Sequence, residues 1–163
     1  MGTGKSSVGR ILAKRTKRDF VDLDRCIEET EKRKIRDIFE KDGEPYFRAL
    51  EKKAVLRWAH EEKKVITTGG GTVVDPENLA ALKQNGLLIT LLAKPETIYE
   101  RIKNSKRRPL LNDKQDLFSE IQKLMEKRKP FYEQSDYYFD TDGKNASQVA
   151  LMIQKVLAQK GLA

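Results

Sequence analysis

Six residues near the amino terminus, Gly2-Thr3-Gly4-Lys5-Ser6-Ser7, have the types and spacing needed to hold a triphosphate. Glycines let backbone N–H groups turn inward around phosphate oxygens. A lysine bridges the β- and γ-phosphates, and a hydroxyl, here Ser6, reaches Mg²⁺. A helix that begins at this point adds its partial positive charge, and Val8, Ile11 and Leu12 supply the helical period for one. The six residues form the second half of G-x-x-x-x-G-K-[ST]. The first glycine of that pattern falls two residues ahead of Met1, with a buried apolar strand expected before it. The expectation is a truncated or mis-started version of a longer chain, or a form of low stability.

Three further groups of residues suit the same chemistry. Phe20-Val21-Asp22-Leu23-Asp24 reads as a strand end carrying two carboxylates, where ligands bind in open α/β sheets. Alternation puts Asp22 and Asp24 on one side, and Asp24 equally suits a helix N-cap. Arg48 and Glu51 stand one helical turn apart after Gly43-Glu44-Pro45; the plain alternative is a surface ion pair. Gly69-Gly70-Gly71 directly follows a strand pattern. Three successive glycines are costly in conformational entropy and point to close backbone approach to a ligand.

The elements that must position these groups alternate along the chain. Strands are expected at residues 19–23, 64–68, 87–92 and 137–140, the third buried on both faces. Helices are expected after the phosphate loop, over about 25–41, from Pro45 through Trp58, from Pro76 to Asn85, from Pro95 to about Asn104, from Leu117, and around Val149 to Leu157. Gly43 separates the second helix from the third. The segment from Ser105 to Lys114 is basic, contains Pro109 and lacks a period; it reads as a mobile loop. Alternating strands and helices imply a parallel sheet covered on both faces.

Composition narrows the function classes. The net charge is +8, but the lysines are spread along the chain without interleaved aromatic residues, so we read a solvated enzyme surface with anionic substrates rather than a nucleic-acid platform. The single cysteine, Cys26, excludes an intrachain disulfide and a cysteine-cluster metal site. No apolar run approaches the roughly 20 residues of a membrane span, and no signal peptide is evident, so a cytoplasmic protein is expected. His60 and Lys32-Arg33-Lys34 read as surface residues, Cys26 and Trp58 as packing.

Taken in order, Gly-Thr-Gly-Lys-Ser-Ser, Asp-Leu-Asp, Gly-Glu-x-x-Phe-Arg-x-x-Glu, Gly-Gly-Gly and Arg-Pro-Leu-Leu resemble the shikimate kinase family over essentially the whole chain. The resemblance implies a three-layer α/β P-loop kinase, similar to nucleoside-monophosphate kinases. Its parallel sheet has strand order 2-3-1-4-5, with the first strand absent here. It implies one domain over residues 1–163, with a substrate-binding helical segment at about 25–60 and a lid at about 105–115. The implied reaction moves the ATP γ-phosphoryl group to shikimate in aromatic amino-acid biosynthesis, with Mg²⁺, in a monomer.

By the same resemblance, Gly2, Thr3, Gly4, Lys5, Ser6 and Ser7 bind ATP, Ser6 and Asp22 serve the metal, and Arg101 packs on adenine. Asp24 binds the shikimate hydroxyls and orients or deprotonates the attacking one. Arg48 and Arg128 grip the carboxylate, with Glu51 orienting Arg48 and Gly70 and Gly71 offering backbone contacts. Arg108 swings in on the lid to the transferred phosphoryl group, so Lys5, Asp24 and Arg108 are the catalytic set. The rivals are another small-molecule P-loop kinase, for gluconate or a nucleoside monophosphate, and an inactive nucleotide- or RNA-binding relic.

Overall fold

The computed structural model describes residues 2–103 and 117–162. Helix α1 (Lys5–Arg15) leaves the phosphate loop and buries Val8, Leu12 and Ala13, with Lys14 and Arg15 in the last turn where they complement the helix dipole. The chain then alternates through β1 (Asp19–Asp22), α2 (Leu23–Glu31), α3 (Ile35–Trp58), β2 (Lys64–Thr67), a 3₁₀ turn (Thr72–Val74), α4 (Pro76–Gln84), β3 (Ile89–Leu92), α5 (Pro95–Ile102), α6 (Leu117–Tyr132), β4 (Tyr137–Asp140) and α7 (Ala146–Gln159).

The strands form two parallel pairs. β1 lies beside β2 with Asp19 opposite Lys64 and Asp22 opposite Thr67. β3 lies beside β4 with Ile89 opposite Tyr137 and Leu92 opposite Asp140. Among the described residues no ladder joins β2 to β3. A slot of 780 Å³ separates them, lined by Val65 and Ile66 from β2, Ile89 and Leu91 from β3, and Val8 and Leu12 from α1. Both halves nevertheless rest on one core. Val8 and Leu12 of α1 and Val149, Ala150, Ile153 and Leu157 of α7 are buried together, and Val65, Ile89 and Leu91 pack against them. A second cluster, Val21, Leu23, Val55, Ala59 and Ala81, fixes α3 and α4 on β1, with Cys26 and Trp58 half-buried at its edge.

Three expectations change. The helix expected over 25–41 is two helices. Lys32 adopts a left-handed conformation (φ 52°), and Lys34 is extended. Glu28 explains the restart: its carboxylate accepts from the Ile35 N–H at 3.1 Å and pairs with the Lys34 ammonium at 2.8 Å, satisfying the first turn of α3 from a distance. Gly43 does interrupt the following helix, at φ 82° and ψ 171°, two residues before Pro45. The third strand is shorter than expected and not buried on both faces: Leu87 and Leu92 are 43% and 45% exposed. It has β4 on one edge and the open slot on the other. Finally, β1 stops at Asp22, so Asp24 is not on the strand. His60 is exposed, as expected, beside Asn85.

Candidate functional site

Gly2 and Gly4 hold the loop before α1 in left-handed conformations, φ 66° and 86°, which a side chain would strain. Gly4 is the N-cap of α1 and supplies no side chain to it; its carbonyl accepts from the Val8 N–H at 2.9 Å. The first turn of α1 thus presents backbone amides and the positive end of the helix dipole, an arrangement that suits an anion. Thr3 is buried. The Arg101 guanidinium, from α5, donates to the Gly2 carbonyl at 3.3 Å and to Thr141 Oγ1 and O at 3.0 and 2.9 Å. It thus stands at the phosphate loop and ties it to the segment after β4.

Asp22 ends β1, as expected, whereas Asp24 has passed into the following helix. Asp22 caps α2, accepting from the Arg25 N–H at 3.4 Å. Asp24 lies in the first turn of that helix. Burial pushes the Asp24 carboxyl from about 3.8 up to about 6; the negative charges of Asp22 and Glu51 add to the rise, and the Lys5 ammonium opposes it. Lys5, Asp22 and Glu51 are therefore all within electrostatic reach of Asp24, although they come from two other helices and a strand end.

Arg48 and Glu51 form more than a surface pair. Glu51 is 1% exposed, and its Oε2 accepts from Arg48 Nη1 at 2.7 Å. Its Oε1 accepts from the Thr72 hydroxyl at 2.6 Å. Asn78 Nδ2 in turn donates to the Thr72 carbonyl at 3.1 Å. Arg48 also reaches Glu44 through Nε and Nη2, at 3.1 and 2.8 Å. Thr72 and Asn78 escaped sequence reasoning. The only signal was a hydroxyl directly after three glycines, because the relay is assembled through space.

The triglycine segment is the point on which these side chains close. A Cβ on Gly69 would stand 2.9 Å from Glu51 Oε1 and 3.2 Å from Asp24 Oδ1. A Cβ on Gly71 would stand 2.8 Å from Arg48 Nη2. The charged ends of Glu51, Asp24 and Arg48 occupy the space that a side chain at position 69 or 71 would take, so a larger residue there would displace them. From the other direction comes α6, whose Arg128 is buried and whose Tyr132 hydroxyl donates to the Gly70 carbonyl at 2.6 Å. Lys5, Gly69, Gly70, Arg128 and Tyr132 line one cleft of 490 Å³. Asp24 stands outside its lining but beside Gly69, and Arg48 stands beside Gly71, which is also outside it. Arg108 and the lid expected at about 105–115 lie outside the described residues.

Ser6, in the first turn of α1, and Asp22, at the end of β1, are oxygen donors of the kind Mg²⁺ selects. The upward push that Asp22 exerts on Asp24 marks a local excess of negative charge that a cation relieves. Among the described residues no cluster of three or more histidine, cysteine or carboxylate side chains forms a protein-only metal cage.

Known proteins resemble this chain throughout. The family model for shikimate kinase matches residues 1–158. A shikimate kinase from Persephonella marina is 44% identical over 149 residues, covering 91% of this chain and 89% of that one. One from Caldanaerobacter subterraneus is 43% identical over 150 residues, covering 92% and 87%. Among solved structures, shikimate kinase from Acinetobacter baumannii in complex with shikimate superposes with a TM-score of 0.95 at 32% identity, covering 100% of this chain and 91% of that one. Shikimate kinase from Aquifex aeolicus gives 0.84 at 35%, covering 99% and 94%.

Proposed function

The chain belongs to the shikimate kinase family, a family of P-loop kinases, and we propose that it transfers the γ-phosphoryl group of ATP to the 3-hydroxyl of shikimate with the residues assembled around Gly69–Gly71. One observation carries the assignment of residues: Asp24, Arg48 and the Arg128–Tyr132 face of α6 converge on three successive glycines, next to a lysine that opens a helix N-terminus.

In this reading the ATP phosphates lie against Gly2, Thr3, Gly4, Lys5, Ser6 and Ser7, with Arg101 beside the adenine. Arg48 and Arg128 hold the shikimate carboxylate, to which planar guanidinium forks give paired, charge-assisted hydrogen bonds. Glu51, itself held by Thr72, keeps Arg48 turned toward the glycines. Asp24 titrates near 6 and is mostly ionised at neutral pH, so it accepts the proton of the attacking hydroxyl. The hydroxyl oxygen bonds to the γ-phosphorus, the bond to the β-bridging oxygen breaks, and ADP leaves. Lys5 and the amides of α1 stabilise charge on the phosphoryl oxygens, which is most of what a protein contributes to this reaction. Arg108 is assigned to the transferred group by family resemblance. Ser6 and Asp22 would hold Mg²⁺, which supplies charge neutralisation on the phosphates when bound. A monomer in the cytoplasm completes the proposal; no helix among the described residues is long and apolar enough to cross a membrane.

A coupled assay with ATP and a panel of acceptors tests the substrate. Shikimate should be phosphorylated and gluconate should not; turnover of gluconate alone would reject the assignment.

We further propose that the slot between β2 and β3 takes a parallel strand, as the family order 2-3-1-4-5 implies. Facing strand edges without a ladder between them and an apolar lining support this. Fusing a short apolar strand and a glycine-containing turn ahead of Met1 should raise both the melting temperature and ATP affinity. Equal stability and affinity with and without the fusion would show that the slot is not a strand site.

A further inference from the structure

We infer that Tyr132 is a positioning residue that locks the Gly70–Gly71 peptide plane and links it to Arg128, so that the glycine backbone and the two arginines keep one mutual arrangement. The inference rests on the carboxylate-binding role proposed above for Arg48 and Arg128.

A peptide bond between two glycines is the least constrained in the chain, because neither flanking residue restricts φ and ψ as a Cβ would. Neighbouring bonds hold the ends of the segment: the Thr72 N–H donates to the Gly69 carbonyl at 3.4 Å and the Val74 N–H to the Gly71 carbonyl at 3.0 Å. Neither engages the Gly70 carbonyl. The Tyr132 hydroxyl does, at 2.6 Å from a side chain 62 residues distant. The chain has no cis peptide among the described residues, so the Gly71 N–H points opposite to the Gly70 C=O. Fixing the carbonyl on Tyr132 therefore also fixes the orientation of the Gly71 amide, in a residue whose Cβ position is occupied by the Arg48 guanidinium.

Tyr132 also faces Arg128. The two stand four residues apart on α6, one turn, with the Arg128 guanidinium against the Tyr132 oxygen. A guanidinium only donates, so Arg128 can engage the phenol oxygen only as an acceptor, which leaves the O–H for the Gly70 carbonyl. Burial keeps the phenol protonated, as this relay requires. The result is a continuous tie: Arg128 to Tyr132, Tyr132 to Gly70, and Gly71 against Arg48. Tyr132 itself need not touch the substrate.

Tyr132→Phe keeps the ring and deletes the O–H. Losing one neutral hydrogen bond should weaken shikimate affinity by about 3- to 10-fold. ATP affinity and melting temperature should stay near wild type. In the unliganded protein, NMR order parameters of Gly70 and Gly71 should fall from the rigid range near 0.85 toward that of flexible backbone, below about 0.6. Unchanged shikimate affinity would overturn the inference, as would parallel weakening for shikimate and ATP, which would mark a general packing role. If the wild-type protein bound no shikimate, the functional assignment would fail. The lock would then be decided by the order parameters alone, unchanged values in Tyr132→Phe rejecting it.

Discussion

Asp24→Asn is expected to abolish most turnover and, in the ligand-free protein, to make the fold more stable above pH 6. The two effects have one cause. The carboxylate sits where burial and the like charges of Asp22, Glu51 and Glu28 oppose its ionisation, holding its pKa near 6 against an ordinary value near 3.8. Between those pH values the folded protein binds the proton that the unfolded chain has released. Stability therefore falls as pH rises through this window, and the whole cost is present above it. An asparagine never ionises, so the variant escapes that cost. Its advantage should be about 2–3 kcal/mol at pH 8 and should vanish near pH 4. The same substitution removes the group that accepts the substrate proton, a loss of about 100- to 10,000-fold in kcat. Denaturant titrations at pH 4 and pH 8, with turnover measured at pH 8, check both arms. A variant no more stable than wild type at pH 8 would contradict the electrostatic account. A fully active one would contradict the proton-acceptor role.

Arg48→Ala should act on substrate binding. The guanidinium lies against Gly71, and Glu51 and Glu44 aim it from two sides. A charge-assisted hydrogen bond contributes about 1.5–3 kcal/mol, so the KM for shikimate should rise by about 10- to 150-fold while that for ATP changes little. Some destabilisation will accompany it, because Glu51 is left buried with the Thr72 hydroxyl as its remaining partner. Steady-state kinetics in both substrates separates the effects; equal changes in the two KM values would count against the carboxylate role.

What the sequence made legible was local chemistry. The loop from Gly2 to Ser7 is contiguous, and its glycines have one steric purpose, so the site and its helix could be read together. The Arg48–Glu51 spacing and the three glycines were legible for the same reason. Contacts made through space were not. Thr72 and Asn78 support Arg48 only because the 3₁₀ turn after the glycines folds over Glu51. Gly69 matters because Asp24 and Glu51, from two other helices, fill the volume beside it. The break between α2 and α3 was hidden because the carboxylate that restarts the helix, Glu28, stands seven residues before Ile35. Leu87 to Leu92 has the composition of a doubly buried strand; its exposure reflects the open edge beside it, which no local pattern encodes.

The central claim is that two arginines, spaced by a glycine backbone, recognise the negative charge of the acceptor. Calorimetric titration with shikimate and with its methyl ester, in wild type and Arg48→Ala, tests it most directly. The account predicts that the ester binds wild type about 10- to 150-fold more weakly than the acid, and that this ratio is smaller in Arg48→Ala, where Arg128 alone remains. Equal affinity of wild type for acid and ester would contradict it.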